Sequence, residues 1–227
     1  MAVAQRAEMN SGEIERGATL ADQIYARLRR DLLRGHFKPG EKITARKLAR
    51  DLGVSLTPAR EALARLAADG AIEISETRSF LVPRLSRERY LEISAIRKLL
   101  EPHAAALAAP KGGAALASRL ARLNERMKER NVAEDFDAAL EVDSEFHMAF
   151  YEAAEAPVLS RMIEALWLQV GPTRTLLSRE YRMSLAGYRN HLAIIEAVRG
   201  REGEAAGRAI QKDLSDGIES LLATLDP

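Results

Sequence analysis

Apolar residues return every three or four positions along most of the chain, and one short stretch alone keeps a period of two. Leu20, Ile24, Leu28 and Leu32 mark a first helix over about 19–35, with Thr19 as its cap. Gly35, Pro39 and Gly40 then break the pattern. Thr44 opens a short helix, ARKLARDL, which Gly53 closes from the C′ position. Ala59, Ala62, Leu63, Leu66 and Ala67 stripe one face of a third helix that ends at Asp69-Gly70. Pro58 falls in its first turn, where a missing N–H does no harm, and Ser55 or Thr57 can supply the N-cap oxygen.

The period-two stretch comes next. AIEIS and SFLVP flank Glu76-Thr77-Arg78 and predict a small hairpin. Helix, helix–turn–helix and hairpin is the order of a winged helix-turn-helix, whose second turn helix enters the major groove by its N-terminal residues. Pro58 would stiffen the start of that recognition helix, so that Ser55, Thr57 and Arg60 project toward double-stranded DNA. The plainer alternative is an amphipathic helix with solvated arginines.

Beyond Pro83 the period is helical throughout. Residues 84–88 read as a linker, and Ser86 can cap the next helix. Helices are predicted near 87–109, 114–130, 134–154, 157–180, 185–199 and 202–225. Lys111-Gly112-Gly113 and Pro157 punctuate them, and Gly171-Pro172 should kink or split the fourth. The expected fold is mainly α: a flexible tail over 1–17, an N-terminal winged helix-turn-helix over 18–83, and an all-helical antiparallel bundle over 89–227.

Composition narrows the setting. Of 227 residues, 47% are hydrophobic and 30% charged, which suits a soluble globular chain with room for two domains. No apolar run nears the roughly 20 residues a bilayer span needs, and the N-terminus lacks the apolar core of a secretory signal. The absence of cysteine excludes disulfides and thiolate metal sites and fits a reducing interior, so a cytoplasmic protein without membrane contact is expected. Residues 1–90 carry 17 basic and 12 acidic side chains, whereas the remaining 137 carry 17 and 21. A basic front on an acidic rear suggests that the front meets a polyanion.

Candidate chemistry lies in the rear. Asp143 and His147 are four apart and share a helix face, while His191 and Asp213 sit on later helices. Two histidines and two carboxylates converging from three helices would suit a divalent metal such as Zn, Ni or Mn. Singly, an Asp/His pair at this spacing is as readily a surface hydrogen bond, and His103 reads as structural or exposed. A metal-dependent enzyme carried on a helical bundle, with an N-terminal nucleic-acid-targeting module, is the alternative function. It lacks a separate base: Glu145 lies roughly 200° round the helix from Asp143.

The stretch LRGHFKPGEKITARKLARDLGVSLTPAREALARLAADG resembles the DNA-binding signature of GntR-family transcriptional regulators of the FadR type, which carry an all-helical FCD domain. IRKLLEPHAAALAA, DSEFHMAFYEAA and NHLAIIEAV extend the resemblance over about 19–225. It implies DNA contacts from Arg46, from Ser55, Leu56, Thr57 and Arg60, and from the wing at Arg78 and Ser79. Two positions depart: the family usually has Arg at 56 and Gly at 79. Leucine cannot pair with phosphate or guanine but can pack on a thymine methyl, so an altered operator is expected. Many FCD domains hold a metal with one Asp and three His. Asp143, His147 and His191 match, but Asp213 stands where the last His falls. Three outcomes stay open for such a site: a different metal preference, vacancy, or loading only with an effector carboxylate. The resemblance further implies a ligand-responsive homodimeric regulator, a repressor on a pseudo-palindromic operator, sensing a small carboxylate or sugar acid. Arg97 and Arg174 are candidates for its anion, because guanidinium forks suit carboxylates. Arg97 could equally pair with Glu101 at i, i+4.

Overall fold

Thr19 starts the first helix through a capping box, its hydroxyl accepting from the Asp22 N–H while the Asp22 carboxylate accepts from the Thr19 N–H. The computed structural model describes residues 18–75 and 79–225. In its first part α1 (Leu20–Leu33), β1 (Lys42–Ile43), α2 (Ala45–Leu52), α3 (Leu56–Ala68), β2 (Glu73–Ile74) and β3 (Phe80–Leu81) succeed one another. Gly53 ends α2 with a left-handed backbone (φ 65) that a side chain would resist. Ser55 occupies the cap position of α3 but makes no capping hydrogen bond, and Thr57 lies inside the helix. The expected cap oxygen is therefore absent, and Pro58 as third helical residue helps to define the start instead.

Two expectations need correction here. Leu20, placed in the buried stripe, is 47% exposed. As the first helical residue it precedes the turn that packs, and Ala21, Ile24, Leu28, Leu32 and Leu33 line the core. Strand β1 was not expected, because two residues carry no readable period. It pairs antiparallel with β3, Lys42 opposite Leu81 and Ile43 opposite Phe80, so β3 lies between β1 and β2. The turn Glu76-Thr77-Arg78 and the 1–17 tail lie outside the described residues.

Behind β3 the helices take over. α4 (Arg87–Val132) joins the two helices expected at 87–109 and 114–130, with only Gly113 leaving the helical region. α5 (Phe136–Glu152) comes next. The helix expected over 157–180 is divided at Gly171-Pro172 into α6 (Pro157–Val170), a 3-10 turn (Pro172–Leu176) and α7 (Arg179–Met183). α8 (Ala186–Arg199) and α9 (Gly203–Leu222) complete the bundle. Phe146, Phe150, Tyr151, Ile163 and Trp167 fill its core. Among the described residues no helix is long and apolar enough to cross a membrane.

The two parts meet along the C-terminal end of α1. Ser144 of α5 donates to the Leu33 carbonyl (2.8 Å), and Arg34 bridges Glu141 (2.5 Å) and Glu145 (3.0 Å) on the same helix. Arg29 pairs with Glu164 of α6 (2.7 Å). Gly171 approaches so closely that a Cβ there would lie 2.5 Å from the Leu32 carbonyl oxygen.

Candidate functional site

The first turn of α3 stands clear of the protein. Ser55, Leu56, Thr57 and Arg60 are exposed, as is Arg46 on α2, while Ala59, Ala62, Leu63 and Leu66 bury the opposite face. No ion pair engages Arg46 or Arg60 among the described residues. The unpaired N–H groups of the helix start add partial positive charge beside them. Ser79 is half-buried and its N–H donates to Ser75 Oγ (3.1 Å). It does not adopt a left-handed backbone, so serine there suffers none of the strain that a glycine would relieve. Arg78 lies outside the described residues.

A second constellation is buried in the bundle. Donor atoms of Asp143 and His147 on α5 and of His191 on α8 all lie within 4.8 Å of one another. His147 Nε2 is 3.8 Å from Asp143 Oδ1 and 3.4 Å from Asp213 Oδ2 on α9. His191 Nε2 is 3.6 Å from Asp143 Oδ1 and 3.8 Å from Asp213 Oδ1. The four expected residues are thus brought together from three helices.

The other ring nitrogens are engaged from behind. His191 Nδ1 lies 3.1 Å from Asn124 Oδ1, which can only accept, so Nε2 keeps its lone pair toward the centre. His147 Nδ1 lies 3.2 Å from the Tyr151 hydroxyl, which itself donates to Glu101 Oε2 (2.5 Å). Tyr151 therefore accepts from Nδ1–H, and His147 also turns a lone pair inward. Glu101 is fully buried and takes Arg97 (2.5 Å) and the Trp167 indole N–H (3.0 Å) besides. Phe146 stacks on His191 with ring centroids 4.0 Å apart.

Burial sets the protonation states. It pushes His191 down to about 4 and His147 well below its ordinary value, against the pull of Asp143. Burial also pushes Asp213 up to about 8, helped by the charge of Asp143. Burial acts on Asp143 in the same sense, but the Arg174 guanidinium and the imidazoles outweigh it and hold that carboxyl below its usual range.

The donor set fits a metal. Around an ion at about 2.1 Å, tetrahedral donors stand about 3.4 Å apart, close to the 3.4–3.8 Å spacings of these four groups. Neutral imidazoles with oriented tautomers and second-layer partners are what such sites use. Beside the centre lies a cavity of about 110 Å³, lined by Arg97, Asp143, His147, Trp167, Arg174 and Asp213 among others. Both arginines flank the Trp167 ring, their guanidinium carbons 4.7 and 4.6 Å from its centroid. Arg97 is committed to Glu101, whereas Arg174 donates to Asp143 Oδ2 and to Ser144 Oγ (2.8 Å). Glu145 points away to Arg34, and His103 is exposed.

Asn124 and Tyr151 were missed, and Glu101 was foreseen only as the ion-pair partner of Arg97, although a signal existed. Asn124 interrupts the stripe Leu120, Leu123, Met127, and Glu101 sits one turn after Arg97 on the face that continues through Ala104, Ala105 and Ala108. The Arg174–Asp143 contact had no sequence signal, since 31 residues separate them.

An open recognition helix on a winged helix-turn-helix, joined to a bundle with a buried polar chamber, is the build of a DNA-binding transcriptional regulator. The chain belongs to the gntR family of bacterial regulatory proteins: residues 20–82 match that family's description and residues 92–216 match the FCD domain. The HTH-type transcriptional regulator McbR of Escherichia coli K12 is 32% identical over 190 residues, covering 82% of this chain and 86% of McbR. The HTH-type transcriptional repressor RspR of the same strain is 28% identical over 202 residues, covering 88% and 87%. The solved structure of E. coli McbR/YncC superposes with a TM-score of 0.81 at 28% identity over 90% of this chain and 98% of that one. A putative GntR regulator from Rhodococcus sp. RHA1 shares the fold (TM-score 0.75, 21% identity, 91% and 99% covered). By that family membership the protein is a transcriptional regulator and not an enzyme.

Proposed function

We propose that this regulator is a homodimeric repressor whose bundle senses a small carboxylate or sugar acid through a divalent metal held by Asp143, His147, His191 and Asp213. The observation that carries this reading is the buried centre itself, where two imidazole lone pairs face two carboxyl groups across less than 4 Å. When bound, the ion (Zn, Ni or Mn) supplies positive charge and open coordination positions to an anionic effector. Arg174 is placed to take the effector's remaining oxygens, with Arg97 holding the chamber wall. The name of RspR supports the repressor role. Leu91, Ile96 and Leu99 on α4 and Val158 and Met162 on α6 are exposed large apolar side chains, which supports pairing with a second copy. Elemental analysis, a Mn²⁺ titration followed by Trp167 emission, and a solution mass measurement test the reading. A metal-blind monomer would overturn it.

On DNA, a dimer would set two recognition helices on a pseudo-palindrome, read by Arg46, Ser55, Leu56, Thr57 and Arg60 with the wing at Arg78 and Ser79. Duplexes selected from a random pool should bind in the nanomolar range and weaken steeply with salt. Arg60→Ala should then cost about tenfold or more in affinity and Leu56→Ala less, since the leucine has only an apolar contact to lose. The reverse order in a titration at fixed salt would show that the groove-reading positions are misassigned.

A further inference from the structure

Asp143 and Ser144 are consecutive on α5, yet one faces the chamber and the other the DNA-binding module. Ser144 is 3% exposed, and its Oγ stands at a branch of three hydrogen bonds. It accepts from Arg174 Nη1 (2.8 Å) and has two carbonyls within reach of its one proton: Leu33 at the end of α1 (2.8 Å) and Leu140 one turn back on its own helix (2.9 Å).

The Leu33 carbonyl belongs to the last turn of α1, where helical carbonyls lose their intrahelical partners. Around it Arg34 donates to Arg30, Gly35 to Leu32 and His36 to Asp31, so no backbone N–H among the described residues serves Leu33. The Ser144 hydroxyl does. Arg174 meanwhile spends its second nitrogen on Asp143, and its 3-10 turn begins just after Gly171, which lies against Leu32 of the same helix end.

We infer that Arg174 and Ser144 form a relay from the chamber to the DNA-binding module, with Ser144 the positioning residue for the end of α1. This rests on the sensor reading above. A charged donor into the hydroxyl polarises it and pins its direction, favouring the bond to Leu33. An anionic effector, above all a carboxylate, competes with Asp143 and Ser144 for the Arg174 fork. Once Arg174 turns to the effector, Ser144 reverts to the local bond that serine commonly makes inside helices, to the carbonyl four residues back. The Leu33 carbonyl is then unpaired, the last turn of α1 frays, and the module loses a fixed point against the bundle. The effector acts because it binds the released state better than the latched one.

Hydrogen exchange in the full-length chain tests the relay without needing the effector. Amides across residues 30–37 are compared in wild type, Ser144→Ala, Arg174→Lys and the double variant. Lysine keeps a charge against Asp143 but replaces the rigid fork, whose two nitrogens reach Asp143 and Ser144 separately, by one ammonium on a flexible stem that does not hold both bonds in that geometry. Each single variant should raise exchange there about fivefold, the effect of losing one buried hydrogen bond. The double variant should exchange no faster than Ser144→Ala alone. Unchanged exchange in Ser144→Ala, or single effects that multiply in the double variant, would overturn the relay. A parallel Mn²⁺ titration read by Trp167 emission separates the two failures. If wild type and Ser144→Ala bind Mn²⁺ alike while exchange disobeys, the relay alone falls. If wild type ignores Mn²⁺, the sensor reading falls and takes the relay with it.

Discussion

Glu101→Ala is expected to lower the unfolding free energy by about 3–5 kcal/mol, a large share of the roughly 5–15 kcal/mol available to a folded protein. Glu101 is fully buried and accepts from Arg97, Tyr151 and Trp167 at once. Removing it strands the Arg97 guanidinium, which burial works against and whose charge Glu101 sustains. It also orphans a phenol and an indole. Denaturant unfolding monitored by circular dichroism measures the loss. The companion variant Arg97→Met/Glu101→Leu should recover the part due to the stranded charge, because well-packed apolar replacements of a buried ion pair are often neutral, and leave the part due to the unpaired phenol and indole. A Glu101→Ala protein within about 1 kcal/mol of wild type would mean that water reaches Arg97 and the pair is not sealed.

The second large effect is the pH dependence of metal binding. At pH 7 both histidines are already neutral, His191 having been pushed down to about 4 and His147 well below 6.5 by burial. Asp213, raised to about 8, still holds its proton. Loading the centre should therefore release close to one proton per metal at pH 7. Affinity should rise about tenfold per pH unit below neutrality and level off above about pH 8. Calorimetry in two buffers of different ionisation heat reads the released proton directly. Affinity that stayed flat from pH 6 to 8 would remove Asp213 from the ligand set.

The same shifts act on the metal-free fold, with opposite signs. Asp213 is raised above its unfolded value, so its contribution is complete below about pH 4 and is lost as the pH climbs through about 8. The lowered histidines contribute fully above about pH 6.5, and that contribution is lost as the pH falls, for His191 through about 4. Stability without metal should thus peak near pH 6.5, and saturating metal should remove the alkaline decline.

Much of this was legible in the residues. Local signals are strong where one residue's backbone chemistry decides the outcome: Thr19 and Thr44 cap as expected, Gly53 closes α2, and Gly171-Pro172 splits the long helix. Asp143 and His147 announced themselves by sharing a helix face. His191 and Asp213 were named as candidates by residue type on later helices, but spacing alone cannot report which distant helices converge, and the family resemblance was needed to join them to the pair. What stayed hidden was of two kinds. β1 is two residues long and exists because β3 offers it an edge. The Arg174 contacts arise because the turn after Gly171 folds back on α5, a tertiary event with no periodic trace in the chain.

Gly171 carries a practical consequence. Main chain touches main chain there, leaving no space even for a methyl beside Leu32. Hybrids made by grafting a foreign operator reader onto this bundle can therefore exchange the decorating side chains freely, provided that the graft brings a helix end able to lie flush on Gly171. A bulkier residue at that point would tilt every reader mounted on it, whatever sequence that reader was chosen to find.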